Sequence, residues 1–158
     1  MNPLGTHPQF DPNASGITVF NPQARPLFER ARWYGNLNRL LGAVGKQSWR
    51  LLLLSEVVTE AMVYAAERSG IRAVAADLIQ GSVNPCEDFD RSHHPLSDRV
   101  ETRWVRIASM MLQGAALPPV ELIRVREIYF VVDGHHRISV ARALGHAAVD
   151  AVITASYD

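Results

Sequence analysis

Residues Phe130 to Gly145 read FVVDGHHRISVARALG, and this stretch decides the fold. It closes an apolar run, Ile128 to Val132, that reads as a fully buried strand. Asp133 and Gly134 break the run, a short helix is expected from His136 to Leu144, and Gly145 ends it. A strand that turns sharply into a helix sets His135, His136 and Arg137 at the helix start. Free N–H groups and the positive end of the helix dipole attract an anion there. Gly134 admits a ligand close to the backbone, and Arg137 has the fork geometry for a bidentate bond to phosphate. Asp133 is a candidate metal ligand or base. The plainer alternative is that Asp133 caps the helix while Arg137 and the histidines are solvated.

Working outward, Val149 to Thr154 reads as a last strand. Val120 to Val125 and Ile128 to Val132 have hairpin spacing around Arg126 and Glu127, although neither is a favoured turn former. Pro118 and Pro119 stop the preceding helix, whose apolar positions Val100, Trp104, Ile107 and Met111 share one face behind the capping-box pair Asp98 and Glu101. Ile71 to Ile79 reads as a first strand. It leads into a long polar loop that carries Glu87, Asp88, Asp90, His93 and His94. The pattern predicts an α+β domain over 71–158 with a small mixed sheet.

Upstream, Leu27, Phe28, Ala31, Trp33, Tyr34, Leu37, Leu40, Leu41 and Val44 recur at three- and four-residue steps, which predicts an amphipathic helix. A second helix is expected from Ser55, as N-cap, to Gly70, giving a helical extension over 25–70. Residues 1–24 hold four prolines among small polar residues and read as a flexible arm. Arg25, Arg30, Arg32, Arg39, Lys46 and Arg50 stand against one acid, Glu29, with Trp33, Tyr34 and Trp49 between them. These are ingredients of a nucleic-acid contact. The competing reading makes the arginines the wet face of the helix and the aromatics its dry face.

The whole chain is 158 residues, the size of one domain, and its 16 basic and 16 acidic residues balance, so bulk charge names no partner. Fifteen of the basic residues are arginines. The lone cysteine, Cys86, excludes an intramolecular disulfide and a four-cysteine zinc site. Cys86, His93, His94, His135 and His136 offer zinc-type ligands, but adjacent His93 and His94 lack the usual step between ligands. The apolar run Leu51 to Leu54 is far short of the roughly 20 residues that cross a bilayer. The first twenty residues lack the pattern of a secretory signal. The expectation is a cytoplasmic protein that does not contact a membrane.

The box Gly134-His135-His136-Arg137, preceded by Asp133 and followed by Ala141 and Gly145, resembles the signature of the ParB and sulfiredoxin superfamily. There, a strand leads into Gly-Glu-Arg-Arg in ParB or Gly-Cys-His-Arg in sulfiredoxin, at the start of a helix that carries nucleotide phosphates. Leu117 to Val125 resembles the strand after the Gly-x-Leu-x-Pro turn of ParB N-terminal domains, and Ala76 to Asp90 resembles their first strand and loop. The resemblance covers about half of the chain, Ile71 to Thr154, in order. It implies a small mixed sheet of the ParB/sulfiredoxin type.

The departures bear on activity. The catalytic cysteine of sulfiredoxin and the metal-holding glutamate of the ParB box both fall at His135, which disfavours sulfinic acid reductase activity. The helix-turn-helix that follows in ParB clamps has no counterpart before Asp158, so centromere binding is not expected. The Asp-Gly-His-His-Arg form looks closer to other branches, including nucleotide-dependent free-serine kinases. In those, the box contacts phosphates and an acid from the loop after the first strand serves as base. Glu87, Asp88 and Asp90 occupy that loop here. The resemblance thus implies a nucleotide (CTP, ATP or ADP) with Mg2+ at Gly134, His135, His136 and Arg137, with Asp133, Glu87 and Asp88 as catalytic candidates and Asp133 as metal ligand. An enzyme of this kind would be a nucleotide-dependent phosphotransferase or a nucleotide hydrolase. The alternative is a non-catalytic nucleic-acid-binding or adaptor protein that uses the basic helix 25–50.

Overall fold

The structure, a computed structural model, describes residues 20–45, 48–66 and 70–158. The expected arm therefore falls largely outside the described residues, as does Lys46. What is described of it is docked: Ala24 is fully buried and the Asn21 N–H donates to Ser109 Oγ at 3.1 Å.

The chain forms an α+β fold with four α-helices and a seven-stranded mixed sheet among the described residues. In chain order the elements are α1 (Ala24–Val44), β1 (Leu52–Leu53), α2 (Leu54–Val57), β2 (Tyr64–Ala66), β3 (Arg72–Ala75), β4 (Ile79–Ser82), α3 (Glu101–Leu112), β5 (Val120–Val125), β6 (Ile128–Asp133), α4 (His135–Ala143) and β7 (Ala148–Tyr157). The sheet order is β1-β4-β6-β5-β7-β2, with β3 paired to the other half of β7 beside β2. β4 and β6 run parallel, β5 and β6 form the expected hairpin, and β5 and β7 run parallel. Arg126 takes a positive φ of 52° to close that hairpin.

The expected helix from Ser55 to Gly70 is not formed. α2 lasts four residues, the backbone turns extended at Val58, and Tyr64–Ala66 is a strand against Tyr157, Ser156 and Ala155 of β7. Val57, Val58 and Thr59 are β-branched, which weakens a helix at this point. An open edge of β7 supplies ladder hydrogen bonds instead, and Tyr64 sits against Tyr157 with ring centres 5.3 Å apart. Ile71 to Ile79 is likewise not one strand: β3 and β4 are separated by a 3-10 turn at Ala76–Leu78. The run Ile128 to Val132 is only partly enclosed, since Val132 reaches the surface at the end of β6. Before α3, Ser97 Oγ accepts the Arg99 N–H, so the cap is Ser97 rather than the Asp98 and Glu101 pair.

Two apolar clusters flank α4. Phe28 and Ala31 of α1, Phe89, and Trp104 and Ile107 of α3 meet Val140 on one side. Leu122, Val131, Ala151 and Ile153 of the sheet meet Ile138 on the other. Phe28 and Trp104 pack edge to face at 5.4 Å, and Trp104 Nε1 donates to Ser139 Oγ at 2.8 Å. α4 is thus the buried hinge of the fold, and the β6–α4 turn is fixed from both faces. The buried residues of α1 are Ala24, Phe28, Ala31 and Gly35, with Leu27 partly buried beside them; Trp33 (60% exposed), Tyr34, Leu40, Leu41 and Val44 are exposed. The reading of Trp33 and Tyr34 as part of the dry face is therefore corrected. Burial follows a short stripe toward the N-terminal half, because α3 and α4 reach only that far.

Candidate functional site

β6 ends at Asp133, and Gly134 is the N-cap of α4 with φ 115° and ψ 19°. A Cβ at residue 134 would lie 2.5 Å from Val120 Cγ1, so both the backbone angle and the space require glycine. No side chain caps α4. Asp133 therefore does not play the capping role, and the first N–H groups of the helix have no intrahelical acceptor. This turn borders a cleft of about 300 Å3 lined by Ser82, Asn84, Cys86, Asp88, Phe89, Arg103, Asp133, Gly134, His135, His136 and Arg137, among others.

The structure thus brings Asp88 of the polar loop to the same cleft as Asp133, Gly134, His135 and His136. Glu87 is exposed and lines a neighbouring larger cleft of about 790 Å3, which shares Ser82, Asn84, Pro85, Cys86 and Asp88 with the first. Asp90 is buried and acts as the organiser of the loop. Its Oδ1 accepts the N–H groups of Ser92 and His94, and Oδ2 pairs with His94 Nδ1 and accepts from Asn38 of α1. Burial alone would raise its pKa, but the bonds from His94 and Asn38 hold it below the ordinary value.

Arg137 is not the solvated or phosphate-directed fork that the sequence suggests. It is 5% exposed. Its Nη1 donates to the carbonyls of Pro118 and Pro119, both at 2.8 Å, and its Nη2 is ion-paired with Asp133. This guanidinium ties the β6–α4 turn to the segment before β5. Arg137 still borders the cleft, but the exposed cation on its lining is Arg103, on α3, which sequence reasoning missed. Its signal was only its place one turn after Arg99, whose Nη2 donates to Asp88 at 2.7 Å.

His135 and His136 are uncharged near neutral pH. Burial pushes His135 down to about 4. Burial, with the charge of Arg103, does the same to His136, also to about 4. Phe89 stacks on His135 at 6.1 Å and meets His136 edge-on at 5.2 Å. His135 Nε2 lies 3.0 Å from Ser82 Oγ, which fixes the ring. Such imidazoles serve as hydrogen-bonding groups rather than as phosphate counter-charges. Burial raises the Cys86 thiol above its ordinary value, with the charge of Asp88 adding to the effect, so Cys86 lines the cleft as a thiol.

No group of three or more metal-type ligands is found among the described residues, so the zinc constellation is not assembled. Mg2+ makes a smaller demand, one or two carboxylates plus phosphate oxygens. Asp133, half exposed and ion-paired with Arg137, and Asp88, ion-paired with Arg99, line the same cleft. No helix among the described residues is long and apolar enough to cross a membrane. Comparison with protein-family models, with curated proteins and with solved structures returned no match to this chain.

Proposed function

We propose that the chain binds a nucleotide or another phosphorylated ligand in the cleft between the 84–89 loop and the β6–α4 turn. The observation that carries this reading is the N-terminus of α4, which no side chain caps and which borders a cleft that also holds Arg103. The strand, turn and helix around Gly134, and the resemblance of residues 134–137 to the superfamily box, point the same way. Phosphates would sit at the N–H groups of His135 and His136 with Arg103 as counter-charge, and Mg2+ would be shared by Asp133, Asp88 and the phosphates. The sugar and base would extend into the larger adjoining cleft, walled by Trp49, Arg50, Leu51 and Leu52. Calorimetric titration with CTP, ATP, ADP, GTP and inorganic phosphate, each with Mg2+, tests the proposal. Saturable binding to one of them supports it; no binding to any at millimolar concentration overturns it.

One observation favours a second reading, nucleic-acid binding by α1. Trp33 and Tyr34 are exposed beside Arg30 and Arg39 on the same helix, as base-stacking contacts need. Arg25 and Arg32, by contrast, are ion-paired with Glu101 and Asp98. Tryptophan fluorescence during titration with single-stranded DNA at low and moderate salt distinguishes the readings, since phosphate-backbone binding weakens steeply with salt.

A further inference from the structure

Beyond that cleft, the molecule has a second polar cavity. It measures about 380 Å3 and lies between α1, the loop at 92–94 and α4, lined by Arg30, Tyr34, His93, His94, Ser139 and Arg142 among others. No carboxylate is among its described lining residues. His135 belongs to the phosphate cleft and His93 to this cavity, and their ring centres are 6.2 Å apart.

His93 is unusual in two independent ways. It is 1% exposed, and neither ring nitrogen has a hydrogen-bond partner. Its backbone lies in the left-handed region at φ 60°, held there by its own N–H donating to the Asp90 carbonyl at 2.8 Å and by the Asp90 side chain bonding Ser92 and His94 on either side. An orphaned buried polar group and a left-handed non-glycine residue each oppose folding, and together they mark a place where the surroundings impose a geometry. The loop is braced so as to hold this imidazole against the cavity.

We propose that the cavity binds a small oxyanion, a carboxylate or phosphate group, received by Arg30 and Arg142 and by an N–H of the His93 ring. Among the described residues Arg30 contacts the Ala143 carbonyl at 3.5 Å through one Nη, and its other donors remain for a ligand. Arg142 is anchored by the Ala76 carbonyl and Asp77, which fixes its charge near His93. Burial first, and then the charges of His135 and Arg142, push His93 down to about 3, so the ring is a neutral donor and acceptor with both functions unused. Ser139, whose Oγ accepts from Trp104, is a further polar residue on the cavity lining.

The test is NMR of the full chain uniformly labelled with nitrogen-15, titrated separately with inorganic phosphate and with succinate. Saturable shifts of the His93 ring nitrogens and of the Tyr34 and Arg142 amides are expected with at least one of them. Arg30, being exposed, can be changed without harm to the core, and Arg30→Ala should weaken that binding by about tenfold or more. His93→Phe should weaken it similarly while keeping or raising the melting temperature, because it removes an unpaired buried polar group. Arg103→Ala should leave these shifts intact, which separates this site from the phosphate cleft. The inference is overturned if neither anion moves the His93 ring, if shifts are confined to Gly134 and His135, or if Arg30→Ala binds as wild type does.

Discussion

Arg137 and Asp133 are ion-paired across the first turn of α4, and the same guanidinium bonds the carbonyls of Pro118 and Pro119 at 2.8 Å each. The residue that most resembles a phosphate ligand in the sequence is thus the brace of the turn that would present the phosphate. Arg137→Ala is expected to destabilise the fold by about 2 to 4 kcal/mol, because it leaves Asp133 and two carbonyls without their donor. At about 2 to 4 °C per kcal/mol for a chain of this size, thermal melting should register a drop on the order of 10 °C. A variant that melts with wild type would show the brace to be idle.

Arg103→Ala should behave in the opposite manner. Arg103 is exposed on α3 and lines the cleft, so its loss should leave melting unchanged. Loss of a charge-assisted bond should cost about 1.5 to 3 kcal/mol of nucleotide affinity, about ten- to a hundredfold. Asp88→Asn, measured alongside, should reduce the Mg2+ dependence of binding more than binding itself. Calorimetry checks both, and equal affinity for wild type and Arg103→Ala would remove Arg103 from the site.

Acid should weaken the fold well above the carboxylate range. His93, His135 and His136 are buried neutral, with folded-state pKa values of about 3, 4 and 4 against about 6.5 in the unfolded chain. Below pH 6.5 the unfolded state takes up protons that the folded state refuses. Stability therefore falls from about pH 6.5 down to about 4 for His135 and His136 and to about 3 for His93. The slope approaches about 1.4 kcal/mol per pH unit for His93, with smaller additions from the less buried pair. Asp90 adds loss in the same direction only below about pH 4. Urea melts at pH 7, 6 and 5 measure the slope, and a flat profile over that range would contradict the burial of these rings.

Gly134→Ala should be severe for its size. A Cβ at φ 115° meets Val120 at 2.5 Å, so strain and overlap together should cost on the order of 3 kcal/mol. Gly114→Ala and Gly145→Ala share the positive φ but meet nothing within 4 Å. Denaturant midpoints of the three should separate the steric part from the conformational one.

The exposed end of α1 offers the contrasting case. Leu40→Glu and Leu41→Lys should change stability by about 0.5 kcal/mol at most, since both side chains are in solvent, whereas Phe28→Ala should cost about 3 to 5 kcal/mol. If Leu40→Glu unfolds the chain, that helix face is covered in solution.

The sequence by itself determined the strand, turn and helix at 128–144, the hairpin around Arg126 and Glu127, and helices α1 and α3, because each rests on local periodicity and on glycine or proline punctuation. It also determined that an acidic loop and a histidine box exist. The tertiary structure alone decided which residues share a cleft. Asp88, not Glu87, lies with Asp133, because the loop is pinned through Asp90 to Asn38, fifty-two positions away. It decided the fate of 58–66 as well, where an open edge of β7 displaces a marginal helical pattern, and it turned Trp33 and Tyr34 outward because α3 and α4 pack on the face of α1 that carries Phe28 and Ala31. Most of all, it decided Arg137 and Arg103. One arginine is buried among carbonyls supplied by Pro118 and Pro119, and the other is left facing the helix start. No local pattern distinguishes them, because the acceptors that hold a guanidinium are chosen by the packing of distant segments.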